Sequence, residues 1–70
     1  MKVRTNSLYR YTPQGYDRIW THSSAQHGQV VRVVKYYGCP PPNTMGHCHI
    51  ADRNTRKPLG LVDTRSLSKL

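Results

Sequence analysis

The sequence has no Phe and no Glu, and its three acidic residues, Asp17, Asp52 and Asp63, stand against eleven Lys and Arg. The missing Phe, with a single Trp, limits the core. Its larger candidates are Leu8, Ile19, Trp20, the valines, Ile50, Leu59, Leu61, Val62 and Leu67. In seventy residues these suffice for one small barrel but not for two layers around a deep active-site cleft. The few carboxylates are scattered and sit in turn-like stretches, where Asp caps backbone donors. No apolar run is long enough to span a bilayer. Met1-Lys2-Val3-Arg4 lacks the apolar stretch of a signal peptide, so the expected location is cytoplasmic. Cysteine is also scarce. Cys39 and Cys48 do not make a disulfide framework, and whether they bond depends on compartment and distance.

What is present is positive charge, a formal +8. Charge of one sign on a small domain is a statement about partners rather than fold. It points to nucleic acid (RNA or DNA) or an acidic protein surface, and no membrane partner is expected.

Along the chain, Gly28 to Tyr37 (Gly-Gln-Val-Val-Arg-Val-Val-Lys-Tyr-Tyr) has the valines and tyrosines of a central strand. Gly28 and Gly38 punctuate its ends. Its Val30-Val31 and Val33-Val34 doublets break the alternation. Either both faces are partly covered, or a bulge makes the strand switch faces.

Before it, residues 1–7 read as a loose basic arm, with the domain proper at 8–70. Leu8 to Thr12 alternates as a strand, with Tyr9 and Tyr11 on one face and Leu8 and Arg10 on the other. Pro13-Gln14-Gly15 is a turn. Tyr16 to Thr21 is a short strand, and His22 to His27 is a polar loop. After the central strand, Pro40-Pro41-Pro42 favours an extended polyproline path and stiffens its loop. Met45 to Ala51 is a strand with Cys48 and Ile50 on one face and His47 and His49 on the other. Asp52 to Lys57 is a charged hairpin loop, and Leu59 to Val62 a short strand. Asp63 caps one tight helical turn through Ser66. Leu67 to Leu70 closes the chain as a last strand, with Leu70 covering an edge. Ser68-Lys69-Leu70 would be a peroxisomal address at a eukaryotic C-terminus, but here it fits the strand.

The expectation is therefore an all-β fold, a small barrel of about five short antiparallel strands with one short helical turn before the last strand. The order of elements resembles an SH3-like barrel. Gly28-Gln29-Val30-Val31-Arg32-Val33 resembles the turn-and-strand core of the KOW-type barrels of ribosomal and transcription proteins. Leu61-Val62-Asp63-Thr64-Arg65-Ser66-Leu67 resembles the closing segment of such barrels. The resemblance implies a binding module for RNA, DNA, peptide or protein, and fold by itself does not choose among these.

Basic and aromatic residues interleave. Arg32 and Lys35 accompany Tyr36 and Tyr37 on the central strand, and Arg53, Arg56 and Lys57 crowd one hairpin. Cations neutralise phosphates and flat rings stack on unpaired bases, so these seven residues are the expected nucleic-acid site. The plain alternative is a solvated charged surface with tyrosines packed at the core edge.

Cys39, His47, Cys48 and His49 are zinc-type ligands, but adjacent His47 and Cys48 point to opposite faces of a strand. No metal site or cofactor is expected. Catalysis lacks an orienting third group and an oxyanion turn, so the chain is expected not to be an enzyme. Two functions remain: binding nucleic acid through phosphates with low sequence specificity, or docking as a small protein-binding module or inhibitor on an acidic surface. An exposed strand edge could also pair two copies.

Overall fold

The strand that organises the molecule is Val30–Gly38, and its valines and tyrosines suit a pleated surface covered on one side. The computed structural model describes residues 3–13, 22–38 and 46–70. In chain order the elements are β1 (Leu8–Tyr11), β2 (His22–Ser23), β3 (Val30–Gly38), β4 (Gly46–Asp52), β5 (Pro58–Asp63), a 3-10 turn (Thr64–Ser66) and β6 (Leu67–Ser68). They form one antiparallel sheet, ordered β2-β5-β4-β3-β1-β6 and curled into a half-barrel. The fold is all-β, as expected, and compatible with an SH3-like barrel. The expected strand at Tyr16–Thr21, with Ile19 and Trp20, lies outside the described residues, as do Cys39, the triple proline and Met45.

The valine doublets are explained by a bulge. Val33 pairs with Ile50 and Lys35 with His49, so Val34 is the extra residue on β3. Val31 and Val33 are fully buried, whereas Val34 is 53% exposed. Beyond the bulge the parity flips, and Tyr36 rather than Lys35 packs against the core. A second irregularity occurs where Ile50 pairs with Gly60 and Ala51 with Pro58, leaving Leu59 unpaired in the register.

The core holds Val3, Tyr9, Tyr11, Val31, Val33, Cys48, Ile50, Val62 and Leu67. Four expectations are corrected here. Leu8 is half-buried on the outer face, while Tyr9 and Tyr11 point inward. With no Phe to supply ring volume, tyrosines do so, and the Tyr9 hydroxyl is satisfied at the core edge by the Arg4 backbone N–H at 2.8 Å.

The second correction concerns the arm expected to be loose. Val3 is in the core, the Asn6 N–H donates to the Val33 carbonyl (2.7 Å), and the Val33 N–H donates to that of Ser7 (3.0 Å). Burying a valine is worth about 1.5–3 kcal/mol, which, with these ladder-like hydrogen bonds, goes part of the way against the cost of about 1–2 kcal/mol for each residue ordered. Third, His22 and Ser23, expected in a loop, pair with Leu61 and Gly60 as a two-residue strand. At the other end β6 stops at Ser68, and Leu70 is 62% exposed rather than covering an edge.

Two local devices fix the frame. Gly28 sits at φ +86° in a Gln26–Gln29 turn closed by the Gln29 N–H on the Gln26 carbonyl (3.0 Å), a position suited to glycine. Asp63 caps the 3-10 turn as expected, its carboxylate accepting the Arg65 backbone N–H at 2.8 Å and the Arg65 guanidinium at 3.0 and 3.1 Å.

Candidate nucleic-acid interface

Register and burial together define the outer face of the half-barrel. One row across it runs Leu8, Arg32, Ala51, Pro58. The next runs Lys35, His49, Leu61, and beyond it lie Tyr37, His47 and Asp63. Cross-strand partners share a face, so the alternation that buries Cys48 and Ile50 turns His47 and His49 outward, as expected.

On this face three side chains interact directly. The Lys35 ammonium lies 5.2 Å from the centre of the Tyr37 ring, within cation–π range. Tyr37 meets the His49 ring edge-to-face at 5.3 Å between centroids. Tyr37 is 42% exposed, with the Lys35 ammonium over its ring. His49 in turn lines a depression of about 490 Å³ whose wall is almost wholly apolar, built from Val34, Ile50, Ala51, Pro58 and Gly60, with Arg56 at its rim. The bulge makes this hollow by pushing Val34 outward next to His49.

Of the hairpin cations, Arg56 lines the same depression. The Arg56 N–H donates to the Asp52 carbonyl (3.1 Å), and the Asp52 N–H donates to that of Lys57 (2.9 Å). The Asp52 carboxylate accepts the Asn54 and Thr55 N–H groups at 2.8 and 3.0 Å. Those bonds, Thr55 first and then Asn54, hold its carboxyl below the ordinary range. Arg53, Arg56 and Lys57 are all exposed.

The expected site residues thus divide. Lys35 and Tyr37 pack together on the sheet and connect through His49 to the depression that Arg56 lines, with Arg53 and Lys57 on the same hairpin as Arg56. Tyr36 does not join them, because the bulge turns it onto the core. Arg32 lies on the outer face, but its guanidinium donates to the Asn6 carbonyl at 2.8 Å and its Nε is buried, so it is partly committed to holding the N-terminal segment. Val34 and His49 were not in the expected site. The doublets hinted at the bulge, but neither its residue nor the histidine opposite could be chosen without the register.

Among the described residues two carboxylates stand near these cations. Asp52 keeps its negative charge at the base of the hairpin and offsets part of the charge of Arg53, Arg56 and Lys57. Between described residues the ion pair is Arg65–Asp63, at 3.0 Å. Burial pushes the Asp63 carboxyl up, but hydrogen bonds from the Arg65 side chain and backbone and the charges of Arg65 and His47 outweigh it, leaving it below the ordinary range.

Among the described residues no three His, Cys, Asp or Glu side chains gather as a metal site. Cys48 is a free, buried thiol, pushed up by burial despite its hydrogen bond with the Thr64 hydroxyl. Among the described residues no helix is long and apolar enough to cross a membrane. A separate hollow of about 560 Å³ lies over Ser24, Leu59 and the Gln26–Gln29 turn, without Lys or Arg in its lining. No protein-family model, curated protein or solved structure matches this chain.

Proposed function

We propose that this protein is a small basic module, of SH3-like barrel type, that binds nucleic acid through its phosphates with low sequence specificity. The observation that carries the reading is a set of cations on the outer face, with Lys35 beside the exposed Tyr37 on the sheet, Arg56 in the depression that His49 shares, and Arg53 and Lys57 exposed on the adjoining hairpin. Cations on a sheet and hairpin follow a phosphate backbone, and interactions of this kind position without specifying sequence. No catalytic group and no cofactor belongs to this proposal.

The test is fluorescence anisotropy with labelled RNA and DNA across a salt series, with the Arg53→Ala/Arg56→Ala/Lys57→Ala variant beside the parent. Removing one cation that pairs with a phosphate should flatten the log–log salt slope by about 1. Expected are a steep slope for the parent and a clear drop in affinity for the variant. Equal affinity for parent and variant would remove the hairpin from the interface.

A protein partner with an acidic surface is the second reading. The apolar lining beside Val34 favours it, because a purely electrostatic backbone tracker has no need of an exposed valine. Recovery of a protein by pull-down after nuclease treatment, with no affinity for nucleic acid, would select it.

A further inference from the structure

Phosphate binding accounts for the cations but leaves the apolar depression unused. Its wall offers Val34, Ala51 and Pro58, with very little polar surface. Around it stand groups of one charge and of flat shape: Arg56 at the rim, and His49 leading to Tyr37 and Lys35. An occupant must therefore be apolar where it meets the depression and anionic where it leaves it. A nucleotide has that distribution, an apolar base face joined to phosphate. In a duplex the base faces are stacked on one another and only edges are open, so the occupant must be unpaired.

We propose that the depression beside the β3 bulge seats an unpaired base of a single-stranded nucleic acid, with Arg56 and Lys35 taking the phosphates on either side. The proposal rests on the nucleic-acid reading above and names its substrate class. Tyr37, held edge-on by His49, provides the neighbouring stacking surface. The apolar wall itself, made by Val34, Ala51, Pro58 and Gly60, has no side chain that hydrogen-bonds a 2′-hydroxyl, so a seat formed by that wall should bind DNA and RNA strands alike.

The experiment compares four labelled probes at fixed low salt: an oligodeoxyuridylate of about fifteen nucleotides, the uridylate of equal length, the abasic strand of equal length, and a duplex. The unaltered protein and Val34→Lys are measured against each. Val34 is half in solvent at a bulge, so lysine is tolerated there; it adds a positive charge while obstructing the depression.

If a base occupies the seat, the unaltered protein binds both base-bearing single strands at least about fivefold tighter than the abasic strand or the duplex. Val34→Lys then loses that preference although it is the more positive protein. Equal affinity for abasic and base-bearing strands, with Val34→Lys tightening all four probes, would overturn the seat and leave phosphate binding standing. A tenfold or greater difference between uridylate and deoxyuridylate would also overturn it, because recognition would then lie with a group outside the apolar wall. Failure of every probe to bind would overturn this proposal and the nucleic-acid reading together. The abasic comparison needs no substitution and so holds whatever the variant does.

Discussion

Arg56 combines two demands that oppose one another. It sits at φ +61°, a left-handed conformation that an L side chain adopts at a cost of about 1 kcal/mol and that glycine takes freely. Yet Arg56 also lines the apolar depression, beside the position of the proposed phosphate. Arg56→Gly should therefore raise Tm by a few degrees while weakening nucleic-acid binding. Arg56→Ala should weaken binding equally without the gain in Tm, which separates the missing charge from the relieved backbone. Thermal melts beside anisotropy check both, and a lower Tm for Arg56→Gly would show that the side chain supports the hairpin. None of this was legible in the sequence, where Asp52 to Lys57 gave charge and turn character but not which residue takes the left-handed position. Similarly, Tyr9 and Tyr11 were legible as sharing a face, but not as facing inward. That choice was settled by the lack of Phe together with the Arg4 N–H waiting for the Tyr9 hydroxyl.

At the scale of the element, the β3–β4 ladder was the most legible part of the chain, because its valines and the Cys48/Ile50 alternation specify strands whatever the register. The alternation also turned His49 outward correctly. The bulge was one of two explanations that the doublets allowed, and only long-range pairing chose it. Tyr36 left the expected site for the same reason: a shift of one residue sends a strand's side chains to the other face, and Tyr36 went inward with it. The two-residue β2 was invisible because a strand that short is defined by its partner, β5, and not by its own composition. The far end of the ladder depends on Gly46, which pairs with Gly38 at φ +136°. A Cβ there would run into the Tyr37 carbonyl oxygen, a backbone atom that cannot swing aside without parting the strands. Gly46→Ala should cost about 2 kcal/mol or more. Gly28→Ala has open space around its Cβ and suffers only the φ of +86°, so about 1 kcal/mol is expected. Denaturant melts of the two variants order these costs, and equal values would show that the collision at Gly46 is relieved by movement. Because Gly46 sets the end that carries Tyr37, its variant should also weaken single-strand binding more than its drop in stability explains.

For the whole molecule, a formal +8 makes both stability and binding functions of the solution. The carboxylates act first. Asp52 and Asp63 both have folded-state values below that of the unfolded chain, about 3.9 for Asp. Their stabilisation is therefore fully present above about pH 4 and is lost as pH falls through the depressed folded values. Loss of negative charge there also leaves the positive charge less opposed, so acid unfolding should be steep below pH 4. Asp63→Asn, which removes the charge paired with Arg65, should flatten that limb. An unchanged acid limb in this variant would mean that Asp63 contributes nothing through its ion pair. Salt acts on the rest of the charge, and in opposite directions on the two properties. The molecule measures 29 × 24 × 18 Å, comparable to the screening length of about 30 Å at 0.01 M salt and well above the value of about 8 Å at 0.15 M. At the lower concentration each cation repels every other; at the higher one only neighbours do. Raising salt between these limits should therefore raise Tm by relieving self-repulsion, while the same ions compete for phosphates and lower nucleic-acid affinity steeply. Melting curves and anisotropy in matched buffers test the pair. A fall in both would mean that internal ion pairs, rather than repulsion, dominate the electrostatics of the fold. A Tm that rises with salt while affinity stays flat would leave the apolar depression, and not the cations, as the source of binding.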